Sequence, residues 1–282
     1  MGRLKINLAK SAGFCFGVNR AIDIALKSAK SGEKVYMLGD IVHNEDVVKL
    51  IERSGIKKTR KLGNGCGKAL LIRAHGTSLK TLRKAKQLGY DIIDATCPMV
   101  KDIHKIARKL EDSGYKMIVI GDKLHDEVLG IIGQLKSKAL VIDTHRNLPL
   151  ARIKKIRKAA IVVQSTQNME NVLRIVAALK KIIPKLKFCN TICRPTRIKQ
   201  EEVKILPREN DAIVIIGSKT SANTKRLYEI SRAINPKTYW VNSKDGLNPR
   251  WFKGLNSVGV TAGASTPKSA IVDVVRYLGL LA

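Results

Sequence analysis

Apolar and polar segments succeed one another along the chain in a fixed order, and this order occurs three times. The runs VYML, MIVI and AIVII are continuously apolar and end at Gly39, Gly121 and Gly217. Continuous runs of this length are typical of parallel strands that are covered on both faces. Later runs, ALLI, AAIVV and SVGVT, have the same character, and a helix is predicted after each of the six. ALVI and TYWV add one further strand in the second and third repeats.

A short predicted strand also precedes a cysteine in each repeat: KINL before Cys15, DIID before Cys97 and KFCNTI before Cys193. Apolar residues at helical spacing follow the first two cysteines directly, and the third helix is shorter and ends near Pro207. Each cysteine lies 24 positions before the glycine that ends the next strand. The pattern predicts three tandem, pseudo-threefold-related, small doubly wound α/β domains with parallel sheets, at residues 1–96, 97–192 and 193–282.

Ligands of such sheets bind beyond the carboxyl ends of the strands, where all three cysteines lie. We expect the domains to turn these edges toward one central cavity. A cysteine at a helix N-terminus favours the thiolate, and three thiolates form a sulfur-rich site. A structural zinc site takes four ligands, whereas a cubane iron–sulfur cluster held by three cysteines leaves one iron open to substrate. Three buried cysteines without a metal are the alternative.

Histidines and hydroxyls occupy the other strand-end turns. His43 and His125 stand at the same place in the first two repeats, Ser221 stands there in the third, and His75 follows the third strand of the first repeat. Such groups at helix N-termini suit phosphate. Glu127 lies two residues after His125, and a carboxyl desolvated there has a raised pKa and can deliver protons.

Composition bounds the class of protein. The 282 residues are 44% hydrophobic and 4% aromatic, with no apolar run near the roughly 20 residues of a membrane span. The N-terminus has no signal-peptide core, so a cytoplasmic location is expected. Five cysteines in such a chain favour metal binding or catalysis over disulfides; Cys66 and Cys189, which have no counterparts, are interpreted as ordinary thiols.

The net charge of +30 leaves a second hypothesis open. A basic surface attracts nucleic acid, anionic membranes, acidic proteins or anionic substrates. Lys and Arg are spread along the whole chain and are not interleaved with stacking aromatics, which weakens the case for nucleic acid. A basic nucleic-acid-binding protein with structural cysteines therefore remains the alternative function.

One set of motifs, covering essentially the whole chain, resembles those of the 4-hydroxy-3-methylbut-2-enyl diphosphate reductase family, the LytB-type reductases of the non-mevalonate isoprenoid pathway. The motifs occur in the family's order and spacing: GFCFGVNRAID, GDIVHN, AHG, DATCPMV, LHDEVLG, NTIC, GSKTSANTKRL and VTAGASTP. The resemblance implies three α/β domains around a central [4Fe-4S] cluster. It also implies that two electrons from ferredoxin or flavodoxin and two protons remove the substrate hydroxyl, giving isopentenyl and dimethylallyl diphosphate.

Carried over by position, the resemblance assigns a role to each candidate residue. It makes Cys15, Cys97 and Cys193 the cluster ligands and Glu127 the proton donor. The implied diphosphate ligands are His43, His75, His125, Ser221, Asn223 and Ser265. Ser165 stands where the family usually has a threonine that orients the substrate hydroxyl, and Thr166 is its neighbour. The resemblance implies neither specific nucleic-acid binding nor a membrane.

Four departures from the family pattern bear on the site. Ala222 replaces a frequent serine, which reduces one phosphate contact to a backbone N–H. Asp126 replaces a frequent proline, and we expect this change to loosen the turn that carries Glu127. Arg194-Pro195 and Lys199, which stands where arginine is common, alter the third helix.

Overall fold

The computed structural model describes residues 4–281, which form two compact units. Within the described residues, the first unit contains 4–19, 43–47 and 194–281, and the second contains 20–42 and 48–193. The first unit holds one four-stranded parallel sheet and the second unit holds two.

Residues 4–281 form twelve strands: β1 (Lys5–Leu8), β2 (Lys34–Leu38), β3 (Lys57–Thr59), β4 (Lys68–Ile72), β5 (Tyr90–Asp94), β6 (Lys116–Ile120), β7 (Leu140–Ile142), β8 (Lys158–Val163), β9 (Lys185–Phe188), β10 (Ala212–Ile216), β11 (Thr238–Val241) and β12 (Ser257–Ala262). The same residues form ten α-helices: α1 (Phe16–Ala29), α2 (Glu45–Arg53), α3 (Leu79–Gln87), α4 (Pro98–Asp112), α5 (Asp126–Ile132), α6 (Leu150–Ile153), α7 (Met169–Lys180), α8 (Arg194–Ile205), α9 (Ala222–Ile234) and α10 (Lys268–Leu280). The sheet orders are β1-β12-β10-β11, β3-β2-β4-β5 and β7-β6-β8-β9.

Most central strands of these sheets are buried on both faces, as their continuous apolar runs predict, whereas Tyr36 and Leu38 of the central strand β2 are only half-buried. Every residue of β10 is buried. In β6, Ile118 and Ile120 pack with α7, whereas Met117 and Val119 pack with α4 and α5 on the opposite face. Successive side chains of a strand point to opposite faces, so this strand needs apolar residues throughout. The predicted fold class, doubly wound parallel α/β repeated three times, is confirmed.

The strand ahead of each cysteine is an edge strand, and each of the three lies in the sheet of a different repeat from the one that its cysteine begins. β1 pairs in parallel with β12, with Lys5 opposite Ser257. The assignment of KINL, DIID and KFCNTI as the first strands of the repeats that their cysteines begin is therefore wrong for all three, since β5 pairs with β4 and β9 pairs with β8. β1 has no fully buried position, which suits an edge, and the free side of β12 offers the backbone partners it needs. β5 and β9 similarly lie at the edges of the sheets that contain β4 and β8.

Strands β2–β5, β6–β9 and β10–β12 fall inside the three predicted domain ranges, and β1 does not pair within its own. The boundaries 1–96, 97–192 and 193–282, and the convergence of the three edges on one cavity, stay predictions.

Backbone geometry explains the glycine that ends each central strand. Gly39 has φ +76° and Gly217 has φ +146°, backbone conformations that residues other than glycine rarely adopt. Gly121 is required for space, because a Cβ there would lie 2.6 Å from Val128 Cγ2 and 2.9 Å from Gln164 Cβ. Each glycine lets the chain turn sharply at the carboxyl edge of its sheet.

No helix within residues 4–281 has both the length and the apolar character required to cross a bilayer.

Candidate active site

Cys15, Cys97 and Cys193 occupy equivalent places in the three sheets. Each stands immediately before a helix: α1, α4 and α8 begin at the next residue. None of the three forms a disulfide, and each is partly exposed. Each cysteine therefore lies at the positive end of a helix dipole.

One backbone hydrogen bond recurs at all three cysteines. The Cys15 N–H donates to Ala264 O at 3.2 Å, the Cys97 N–H to Ala74 O at 2.9 Å, and the Cys193 N–H to Ser165 O at 3.1 Å. Each acceptor lies two residues beyond the strand next to the cysteine's own strand, namely β12, β4 or β8. The same contact therefore sets the height of every cysteine above its sheet.

Glu127 is buried in the second unit beside the Cys193 loop. Its side chain is 1% exposed. One carboxylate oxygen accepts from the Ser165 N–H at 2.6 Å, and the other accepts from Ser165 Oγ at 2.8 Å. Because Ser165 O accepts from Cys193, a single residue links the carboxyl group to the cysteine loop.

Burial dominates the ionisation of Glu127. Desolvation raises its pKa to about 7, and the two Ser165 hydrogen bonds offset only part of that rise. The carboxyl group thus holds a proton in a substantial fraction of molecules at neutral pH, which is what a general acid requires.

His125 fixes the turn that carries this acid. It is the N-cap of α5, and its Nδ1 accepts from the Glu127 N–H at 3.1 Å. The His125 ring meets the His75 ring edge to face, with centroids 5.3 Å apart. The second unit therefore brings two of the predicted anion ligands together.

Asp126 does not loosen this turn in the way expected from the missing proline. Its carboxylate forms an ion pair with the guanidinium of Arg73, which lies two residues before His75. Both side chains are mostly buried, with 20% and 23% exposed. The pair therefore braces the Glu127 turn against the strand end that carries His75.

The first unit places its candidates around β10 and β12. The hydroxyl of Ser265 donates to His43 O at 2.9 Å, and Ser221 caps α9 by accepting from the Thr224 N–H at 3.3 Å. Asn223 is 4% exposed, and both of its amide atoms lack a hydrogen-bond partner among the described residues. A buried amide without partners is costly unless a ligand satisfies it, so the surroundings of Asn223 fit a polar ligand.

Thr166, Cys66 and Cys189 lie outside the group of candidate residues described so far. Thr166 accepts from Gln164 Nε2 at 3.1 Å, and Gln164 in turn accepts from the Asp122 N–H. Cys66 is exposed, and Cys189 packs beside the core formed by α4 and β6.

The structure adds two residues that the sequence did not single out in this role. Lys199 is 2% exposed, and its ammonium group donates to Ser11 O, to Gly13 O at 2.9 Å and to Ala262 O at 3.3 Å. Glu202, one turn further along α8, accepts from the N–H and the hydroxyl of Ser11. α8 thereby holds the loop that leads to Cys15. The spacing of three between Lys199 and Glu202 is the only sequence signal, and it is also typical of surface ion pairs.

We expect Lys199→Met to weaken this loop, because it leaves buried carbonyl groups without a donor. The free energy of unfolding should fall by about 1–3 kcal/mol, as measured by urea denaturation of the iron-free protein. Lys199→Arg should recover most of that loss. Arg197→Met, on the same helix, is the control, because Arg197 is exposed and a surface substitution changes stability by less than about 0.5 kcal/mol. Equal stability of the Lys199→Met variant and the parent would contradict this role.

Comparison with known proteins agrees with this arrangement. The LytB protein family matches residues 6–279. A relative from Geobacter metallireducens, named 4-hydroxy-3-methylbut-2-enyl diphosphate reductase, is 39% identical over 275 residues, 98% of this chain and 97% of the relative. A relative of the same name from Aquifex aeolicus is 39% identical over 95% of this chain and 94% of its own length.

Two solved structures are also similar. One is a structure of (E)-4-hydroxy-3-methyl-but-2-enyl diphosphate reductase, with 38% identity, a TM-score of 0.71, and coverage of 98% of this chain and 99% of that one. Another is the E-1-hydroxy-2-methyl-but-2-enyl-4-diphosphate reductase from Plasmodium falciparum, with 27% identity, a TM-score of 0.89, and coverage of 98% and 88%.

Relatives that match nearly the whole chain are named reductases, so the chain is an oxidoreductase. Its three parallel sheets, cysteines at equivalent helix starts and buried acid fit this class. It belongs to the LytB family.

Proposed function

We propose that this LytB-family oxidoreductase removes the hydroxyl group of 4-hydroxy-3-methylbut-2-enyl diphosphate, using a [4Fe-4S] cluster held by Cys15, Cys97 and Cys193. The products are isopentenyl and dimethylallyl diphosphate. One molecule of substrate, two electrons and two protons yield one molecule of either product, which keeps its diphosphate group, and one molecule of water. The C–O bond breaks, one proton joins the leaving hydroxyl group to form water, and the other forms a new C–H bond on the allylic carbon skeleton.

The support for the cluster is the chemistry and position of its three ligands. The recurring N–H to carbonyl bond gives each cysteine the same backbone contact, and thiolates are the ligands that iron–sulfur clusters take. When bound, the cluster would supply the electrons and one iron that has no protein ligand.

Each unit offers candidate diphosphate ligands. The first unit offers His43, Ser221, Asn223 and Ser265, and the buried amide of Asn223 is the strongest single support. The second offers His75 and His125 at adjoining turns. Imidazoles, hydroxyls and helix N-termini provide the donors that phosphate oxygens accept from.

Glu127 holds the proton that leaves with the hydroxyl group. Ser165 lies against it, and its hydroxyl can orient the substrate oxygen while its backbone N–H holds the carboxyl group. Burial keeps water away from this acid. We also propose that His125, which caps the same helix, returns a proton to Glu127 between turnovers.

Anaerobic purification followed by iron analysis and product identification tests the proposal. We expect about four irons per chain and a broad brown absorbance, as for a [4Fe-4S] centre. With dithionite-reduced methyl viologen as reductant, the allylic diphosphate should give both products. A folded protein that is active without iron would overturn the cluster assignment. Iron-loaded protein that leaves the substrate unchanged would overturn the reaction. We further propose a ferredoxin or flavodoxin as the natural reductant.

A further inference from the structure

A basic groove of about 460 Å³ lies between α3 and α4 in the second unit. Five cationic side chains line it, and they define the basic groove: Arg83, Lys86, Lys101, Lys105 and Arg108. The groove has one carboxylate, Asp94, which is already paired with Lys101 at 2.6 Å. Buried His104 is neutral, because desolvation lowers its pKa to about 4. The surface is therefore strongly positive.

Helix periodicity produces this concentration of charge. Lys101, Lys105 and Arg108 recur at i, i+4 and i+7 on α4, and Arg83 and Lys86 at i and i+3 on α3. The opposite stripe of α4, which includes Val100 and Ile103, is buried in the core. Partly exposed Leu79, Leu82 and Ile92 also line the groove, so an apolar centre is surrounded by charge, as in protein–protein interfaces.

The groove adjoins a proposed cluster ligand. Thr96, the residue before Cys97, lines it. Cys97 is the N-cap of α4, and its carbonyl accepts from the Lys101 N–H at 3.0 Å. At 1.5 Å per residue, the charged stripe extends about 16 Å from Cys97 along the helix axis. A partner seated at the N-terminal end of this stripe, at Lys101, therefore lies about one helical turn from Cys97.

We propose that the basic groove docks a small acidic electron-carrier protein beside Cys97. The inference rests on the proposed function, which requires an external source of two electrons. Charge complementarity guides the encounter, and the short path along α4 to Cys97 favours electron transfer, whose rate falls steeply with distance.

A second basic cleft in the same unit provides a matched control. It has a volume of about 920 Å³ and lies at the amino ends of β6, β7 and β8, the edge opposite to Cys193. Arg152 and Lys155 line it and are exposed. Charge reversal there changes the net charge of the protein by the same amount as reversal in the basic groove.

The test compares Arg83→Glu/Lys105→Glu with Arg152→Glu/Lys155→Glu. Arg83 and Lys105 are both exposed, and 70% of the Lys105 side chain is accessible to solvent. Within residues 4–281, neither side chain hydrogen-bonds to a cysteine loop. Stopped-flow reduction of the cluster is followed with reduced ferredoxin and, separately, with reduced flavodoxin. At low salt, the groove variant should lose about tenfold or more in second-order rate constant, and the control variant less than about twofold. The difference should shrink near 1 M salt, where the Debye length is about 3 Å.

Other results separate the two proposals. An equal loss of the reduction rate constant in the two variants would overturn the docking site while leaving the reaction intact. A rate constant that is unchanged in both variants, with ferredoxin and with flavodoxin, would do the same. RNA binding that weakens only in the groove variant, with unchanged carrier rates, would also overturn it. Turnover with dithionite-reduced methyl viologen should be unchanged in both variants; absence of that turnover in the parent would count against the proposed function. In that case, direct binding of labelled ferredoxin to both variants still tests the groove.

Discussion

Glu127→Gln should lower turnover with dithionite-reduced methyl viologen by on the order of 10²–10⁴-fold, the usual contribution of a positioned general acid. The amide has nearly the shape of the carboxyl group but donates no acidic proton. Its oxygen can still accept from the Ser165 N–H, and its NH₂ group can donate to the Ser165 hydroxyl if that hydroxyl rotates. The fold around Ser165 and the Cys193 loop should therefore be kept.

Two further measurements identify the acid specifically. Iron content and substrate Kd of the Glu127→Gln variant should stay near the parent values. Glu170→Gln, at an exposed position in the first turn of α7, should leave turnover unchanged. Parental turnover in Glu127→Gln would reassign the proton donor, and a variant that has lost its iron would show that Glu127 supports the cluster loop instead.

The pKa of Glu127 also predicts a pH dependence. The protonated form is the donor, and with a pKa of about 7 it predominates below neutrality. The kcat of the parent should therefore fall up to tenfold per pH unit above that value, and Glu127→Gln should lose this limb of the profile. A parental kcat that is constant between pH 7 and pH 9 would contradict the assignment.

The same ionisation affects stability. The folded-state pKa lies above the ordinary value of 4.5, so the folded protein binds more protons than the unfolded chain between these values. Its stability therefore falls as pH rises from about 4.5 through 7. Urea denaturation of the parent and of Glu127→Gln should show this slope in the parent alone.

The sequence predicted the positions of the reactive groups better than the contacts that hold them. Cys15, Cys97 and Cys193 were found because each precedes a strand-end glycine by 24 residues. That glycine is fixed by backbone geometry at Gly39 and Gly217. Such constraints are local, so a single chain with internal repeats displays them three times.

Contacts between distant segments left no such signal. The cysteine N–H bonds depend on which strand lies beside each cysteine's strand, and β1 pairs with a strand about 250 residues later in the chain. Lys199 looks like a surface lysine until the Ser11–Gly13 loop is placed over it. Asp126 could be judged only by the proline it replaces, whereas its ion pair with Arg73 supplies rigidity by another route.

Cys97→Ser should abolish cluster assembly and reduce turnover to background. Serine lacks the soft thiolate sulfur that iron–sulfur clusters take as ligand. The fold should survive, because Cys97 is the N-cap of α4 and makes no side-chain capping hydrogen bond. Serine is a preferred N-cap residue and stabilises a helix by roughly 0.5–2 kcal/mol relative to a residue, such as alanine, whose side chain cannot accept the capping hydrogen bond. The iron-free variant should therefore resist urea at least as well as the iron-free parent.

This combination of lost iron and retained stability separates a cluster ligand from a structural thiol. Cys66→Ser is the matched control, because Cys66 is exposed and has no equivalent in the other repeats. It should keep about four irons per chain and parental turnover. If Cys97→Ser retained its iron, or if Cys66→Ser lost it, the set of three ligands would be wrong. If Cys97→Ser unfolded, Cys97 would instead have a structural role, because neither the size nor the capping ability of serine would account for that loss.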